Sequence, residues 1–431
     1  MTETASSLQR TTLPSDRRRP TVDQPRSSVV ARLVTGPALS VICLGLLPIA
    51  LLVLGAFVPK LPVIGQLGSL LSGWFAWAGL ATALLLAAWL LLTGRRAARK
   101  RRPWHHVVAS FAAAVLVGCV IVTVSFTATG LGDGVLVNPL ARPAAPRAPD
   151  AVEQYGTVPA DPGRFGLAAG EPLEVSVWAP TPPSTGPAPI AFFTHGGGWI
   201  GGAPADDSAG MKATMADEGW LVISAEYTLA TPDHPTADIA EAQVGCAMAW
   251  AASHAADYGG TPATFVSLGD SAGGNLALNT AYRGNADRLD CPGADRFPTV
   301  DAVAVLFPAV DPYALHADAL TSGSRPGRSF TQWYTGGTPA ERPETYRAVK
   351  SSTHINSQAP PTLILQGQND HTVQPHAVYE FAATAARAGV DTTLVRVPFA
   401  DHVFEATPMG SQLYSKVTLK WLEDLGLGPE R

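Results

Sequence analysis

Apolar residues run along this chain in two different ways. In the first third they form three long stretches, Leu33 to Val58, Leu70 to Thr93 and Val107 to Ala128, none of which contains Asp, Glu, Lys or Arg. Each is about 22 to 26 residues, enough for a helix to cross a hydrocarbon core of roughly 30 Å. Further along, the pattern changes to short apolar runs closed by Gly, Pro or polar turns: Leu173–Trp178, Pro189–Thr194, Thr264–Leu268, Pro361–Gln366 and Thr392–Val397. Runs of that length, alternating with helix-forming segments, predict buried strands of an α/β sheet. The expected division is a disordered tail over 1–32, three transmembrane helices over 33–128 (about 33–58, 70–93 and 107–128), a Pro/Ala/Gly-rich linker over 129–165, and one α/β domain over 166–431 with a doubly wound, mostly parallel sheet.

Composition supports this division. Of 431 residues 46% are hydrophobic and only 15% charged, which is unusual for a wholly soluble protein, and the excess apolarity lies at the front. A cleaved signal peptide is too short to explain the first stretch, and two more follow it. Basic residues give the orientation. Arg17, Arg18, Arg19, Arg26 and Arg32 precede the first stretch, Arg95, Arg96, Arg99, Lys100, Arg101 and Arg102 fill the loop between the second and third, and the first loop has only Lys60. By the positive-inside rule the amino terminus and second loop are cytoplasmic, so an odd number of spans delivers the α/β domain outside the cell membrane. Six basic residues between two spans read as a topology signal, not as a nucleic-acid patch, and no nucleic-acid partner is expected. Small residues in the spans (Gly45, Gly55, Gly79, Gly118) without intramembrane charge suit a packed anchor. Proline in the linker, as in Arg142-Pro143-Ala144-Ala145-Pro146, suggests a stiff spacer holding the domain off the bilayer.

The candidate chemistry lies at the ends of the short runs. Thr264–Leu268 feeds Gly269-Asp270-Ser271-Ala272-Gly273, and a helix-forming run follows at once. This is the strand-turn-helix setting in which Gly-x-Ser-x-Gly exposes a nucleophilic serine. Upstream, Pro189–Thr194 runs into His195-Gly196-Gly197-Gly198-Trp199, where glycines leave backbone N–H groups free to face a substrate oxygen. A serine needs a base, and the base needs an orienting carboxylate. Both are found downstream: Asp370 after the strand Pro361–Gln366, and His402 after Thr392–Val397. The order Ser, Asp, His is that of α/β hydrolases.

HGGGW, Glu226-Tyr227-Thr228-Leu229-Ala230 with Pro235, GDSAGG, Tyr334-Thr335-Gly336-Gly337, Ser352-Thr353-His354-Ile355 with Ala359-Pro360-Pro361-Thr362, GQNDHTV and the late DHVF together resemble the carboxylesterase branch of α/β hydrolases, across roughly residues 165–425. That branch joins hormone-sensitive-lipase-like esterases and feruloyl/acetyl xylan esterase-like proteins. The resemblance implies an α/β-hydrolase fold, a triad of Ser271, Asp370 and His402, and an oxyanion hole from the N–H groups of Gly197, Gly198 and Ala272. Thr228 stands where the family has Arg, Thr231 where it has Pro, and Val403 where Gly follows the histidine. Trp199 is expected either to line the substrate pocket or to pack beneath the loop.

The reaction expected is hydrolysis of short-acyl esters, acylated carbohydrates among them, through an acyl-enzyme, with no cofactor and no metal. The region from Asp311 to Lys350 reads as a partial lid or an irregular loop. A membrane lipase, a prolyl-oligopeptidase-like peptidase and a non-enzymatic adhesion module are the alternatives. Cys246 lies on the helix before the nucleophile strand and Cys291 just beyond the helix after it, so outside the cytoplasm they form a candidate disulfide. The expected partners are a small-molecule or glycan-linked ester and a lipid bilayer; the sequence does not set the oligomeric state.

Overall fold

The computed structural model describes residues 27–100, 104–157, 171–181, 186–206, 208–289, 291, 297–318 and 325–430, with the side chains of 27–40, 93–100, 104–105 and 325–326 excepted. The tail expected over 1–32 lies outside the described residues up to residue 26, as do Arg101 and Arg102. Among the described residues four α-helices come first: α1 (Ser27–Phe57), α2 (Ile64–Leu70), α3 (Phe75–Lys100) and α4 (Trp104–Gly132). Among the described residues two stretches, Ser72–Leu92 and His106–Gly132, are helical, long and apolar enough to cross a membrane; the described apolar part of α1 is the shorter Val41–Phe57. Leu70 belongs to α2 and not to the second long stretch, because the chain turns between them at Leu71 and a short 3-10 segment, Ser72–Trp74.

The α/β domain is one eight-stranded sheet in the order β1-β2-β4-β3-β5-β6-β7-β8. Its strands are β1 (Ala151–Thr157), β2 (Pro172–Trp178), β3 (Ala188–Thr194), β4 (Leu221–Ala225), β5 (Gly260–Asp270), β6 (Ala302–Leu306), β7 (Thr362–Gly367) and β8 (Thr392–Val397). β1 and β2 are antiparallel to their neighbours, and every pairing from β4 through β8 is parallel. Every residue of β3, β4, β6 and β7 is buried, as a parallel strand covered on both faces requires. β1 corrects the linker expected over 129–165: Ala151–Thr157 is an edge strand of the sheet, and its exposed polar residues hid it from a search for apolar runs.

Helices α5 (Ala209–Asp217), α6 (Ala240–His254), α7 (Ser271–Gly284), α11 (Pro375–Arg387) and α12 (Pro408–Asp424) cover the two faces, and three short helices, α8 (Pro312–Asp318), α9 (Arg325–Thr335) and α10 (Pro343–Val349), follow β6. One apolar core joins the sheet to α6, α7 and α11. The other joins it to α5, α12 and residues of the leading helices, among them Ala56, Phe75, Val122 and Phe126. The leading helices are therefore packed on the domain, contrary to the expected stand-off. The segment after α4 is docked as well. Asn138 N–H donates to Gln412 Oε1 (3.0 Å), Lys416 Nζ donates to the Leu136 carbonyl (2.7 Å), and Trp178 Nε1 donates to the Arg147 carbonyl (2.9 Å). Cys246 and Cys291 form a disulfide with S–S 2.13 Å and Cα–Cα 5.1 Å.

Candidate active site

The strand order fixes where the site falls. From β3 the chain crosses to β4 on one side and then returns to β5 on the other, so the crevice beyond the carboxyl ends of β3 and β5 is the topological switch point of the sheet. The glycine-rich loop leaves β3 there, and Ser271 leaves β5 there. Ser271 adopts φ 53°, a left-handed conformation that a non-glycine residue holds only where its surroundings enforce it. A Cβ on Gly273 would collide with the Thr194 and His195 carbonyls, so only glycine lets α7 start this close to β3.

Three side chains meet above that turn. Ser271 Oγ donates to His402 Nε2 at 3.1 Å, and His402 Nδ1–H donates to Asp370 Oδ2 at 2.9 Å. The tautomer follows from the partners, since a carboxylate can only accept. Asp370 is 4% exposed and also accepts from the N–H groups of Thr372 and Val373 (both 2.8 Å) and from Gln366 Nε2 (3.0 Å), which fixes both carboxylate oxygens. Burial lowers the pKa of His402, but the charge of Asp370 and its hydrogen bond, with Glu405 and Asp401 beyond, outweigh it and leave the imidazole above its ordinary value. The Phe307 ring lies 4.2 Å from the imidazole, centroid to centroid, and covers one face.

The glycine-rich loop is held from below. Tyr227 Oη–H points at the His195 and Gly196 carbonyls (3.1 and 3.3 Å), and its ring stacks on His195 at 4.4 Å. Burial drives the His195 pKa down to about 4, with the Gly196 carbonyl opposing and Lys212 adding to the fall, so this ring is neutral and its Nδ1–H donates to Gly196 (2.8 Å). Gly197 and Gly198 have φ of 102° and 64°, and among the described residues neither gives its N–H to another backbone carbonyl. Ala272 sits in the first turn of α7, where N–H groups lack intrahelical acceptors.

The sequence-predicted Ser271, Asp370 and His402 are thus brought together, with Gly197, Gly198 and Ala272 on the adjoining loop and helix end. Of the two roles open to Trp199, the geometry supports packing. It is 0% exposed and stacks on Tyr334 at 4.6 Å, because its left-handed φ of 63° turns the indole inward under the loop. Phe330 lies beside the loop, its ring so close to Gly198 that a Cβ there would lie 2.7 Å from it. Phe330 and Tyr334 both come from α9, so the described short helices of the Asp311–Lys350 region form a cap, with α9 pressed on the glycine loop. Thr228, in the family's Arg position, is paired with Gln243 through two hydrogen bonds of 2.9 and 2.8 Å.

A family model described as BD-FAE matches residues 177–384, the stretch from the end of β2 to α11. The propionate-bound esterase 2 of Thermogutta terrifontis superposes with a TM-score of 0.51 at 23% identity, covering 65% of this chain and 96% of that one. The fold is that of an α/β hydrolase. Among curated relatives, the probable carboxylic ester hydrolase LipM of Mycobacterium tuberculosis is 26% identical over 242 residues, which are 55% of this chain and 54% of that protein. Esterase LipQ of the same organism is 27% identical over 220 residues, 51% of each chain. The versiconal hemiacetal acetate esterase of Dothistroma septosporum is 27% identical over 238 residues, 52% of this chain and 68% of that enzyme. The chain spans about half the length of the first two.

Proposed function

We propose that this protein is a membrane-anchored serine carboxylesterase that hydrolyses short-acyl esters, acylated carbohydrates among them, outside the cytoplasmic membrane. The observation that carries the reading is the unbroken Ser271–His402–Asp370 hydrogen-bond relay at the switch point of the sheet. In the reaction, Ser271 Oγ attacks the ester carbonyl carbon while His402 Nε2 takes its proton, and Asp370 holds the imidazole and stabilises the imidazolium. The N–H groups of Gly197, Gly198 and Ala272 receive the oxyanion. His402 then gives its proton to the leaving alkoxide as the C–O bond breaks, an acyl-Ser271 ester remains, and water activated by His402 releases the acid. The membrane reading is supported by the long apolar helices with their flanking basic residues, and the external one by the Cys246–Cys291 bond, which persists in oxidising compartments.

The test is a fluorophosphonate probe with a p-nitrophenyl ester series. The expected result is labelling of wild type, no labelling of Ser271→Ala, and a loss of kcat on the order of 10⁴- to 10⁶-fold in that variant with folding intact. A Ser271→Ala protein that kept a tenth of the rate would overturn the assignment. Cleavage of peptide p-nitroanilides without ester cleavage would favour a peptidase.

A further inference from the structure

His371 follows Asp370 but takes no part in the relay. Its ring is pinned between two acceptors: Nδ1 lies 2.7 Å from Asp401 Oδ2 and Nε2 lies 2.8 Å from the carbonyl of Pro59. Pro59 belongs to the hairpin that joins α1 to α2. Asp401 uses its other oxygen to accept the N–H groups of His371 (2.8 Å) and of His402 (2.7 Å). One residue away, Asn369 Nδ2 donates to the Ala56 carbonyl and Ser69 Oγ (3.0 and 3.1 Å) while its N–H donates to Ala400 (2.9 Å). Phe57 and Phe399 pack ring on ring at 4.9 Å. The loops that carry the acid and the base are therefore fastened to each other and to the outer turn of the anchor, and the His371 imidazole bridges all three.

The geometry points to His371 as a positioning residue that couples the 56–71 hairpin to the Asp370 and His402 loops, so that the relay is held in register only while the hairpin is docked. The inference rests on the esterase reading above. Both ring nitrogens face oxygens that can only accept, so both must carry hydrogen, and the bridge is complete only as an imidazolium. The charged groups facing it are Asp401 on the loop after β8 and Asp370 on its own loop, while the hairpin presents the Pro59 carbonyl. The hydrogen bond to Asp401 raises the pKa of His371 above the ordinary value; burial opposes it, and the charges of Asp401 and Asp370 add to it. The bridge is accordingly intact at low pH and loses one arm as pH rises through that raised value.

The experiment compares full-length wild type, His371→Ala and His371→Gln in phosphatidylcholine nanodiscs, reading esterase kinetics against pH and amide hydrogen exchange. A neutral Gln can serve only one of the two acceptors well. Both variants are expected to lower kcat about tenfold with KM within twofold, and to abolish an alkaline fall in kcat that wild type shows. Exchange is expected to rise in residues 56–71 and 399–404 while β3 and β5 stay protected. Unchanged kcat and pH profile would overturn the coupling; so would a loss of activity accompanied by faster exchange throughout the sheet, which marks general destabilisation. Failure of wild type to react with a fluorophosphonate would sink the esterase reading alone, because the exchange measurement still reports on the coupling.

Discussion

At the scale of single residues, the relay makes a signed prediction about pH. His402 must be neutral to accept a proton, and its pKa is raised by Asp370, so kcat/KM should rise with pH through a value above the ordinary one for histidine and be lost below it. Asp370→Asn removes the charge responsible. The acidic limb should move to lower pH, and kcat should fall on the order of 10⁴-fold as the wrong tautomer is favoured. A pH profile of the two proteins checks both statements. Tyr227→Phe is a milder change. It deletes the hydroxyl that holds the His195 and Gly196 carbonyls, at a cost of about 1 kcal/mol of stability, and a roughly tenfold lower kcat with similar KM is expected if those bonds set the glycine loop.

At the scale of elements, the disulfide ties α6 to the segment beyond α7 across 45 residues. In the chain-entropy model a loop of that length is worth roughly 4 kcal/mol, so Cys246→Ser with Cys291→Ser should lower the denaturation midpoint while leaving kcat near wild type. Mass spectrometry of unreduced, denatured protein should find neither cysteine open to alkylation. The elements also show how far the sequence could be read. Ser271, Asp370 and His402 were legible because each follows the carboxyl end of an apolar strand, and in a parallel sheet those ends lie along one edge. β1 was not, since an exposed edge strand carries no apolar signature. Nor was the inward turn of Trp199, which depends on Tyr334 from a helix that sequence shows only as an aromatic, glycine-rich interruption. The partners of His371 were hidden for a different reason: Pro59 lies 312 positions away, and no local pattern announces a backbone carbonyl as a ligand.

At the scale of the whole molecule, the cap formed by α8, α9 and α10 sets the expected substrate range. Phe330 crowds Gly198, so space beside the glycine loop is limited, and each buried CH₂ of a longer acyl chain forgoes about 0.8 kcal/mol if it finds no apolar wall. The ratio of kcat/KM for butyryl over palmitoyl esters should be at least about tenfold, and a steady rise toward palmitoyl would instead favour a lipase. Proteolysis of intact cells or right-side-out vesicles should reach the α/β domain and spare the Arg95–Arg102 loop.

The docked hairpin has a further consequence for how such an enzyme would find its substrate. A domain on a free tether sweeps a volume set by the length of its linker. Here Asn369 is bonded to Ala56, in the last turn of α1, so the site would ride at one fixed height over the bilayer and in one orientation. Its search would be two-dimensional, carried by lateral diffusion of the anchor, and its targets would be esters presented at that height. Lengthening the segment after α4 would then extend its reach very little.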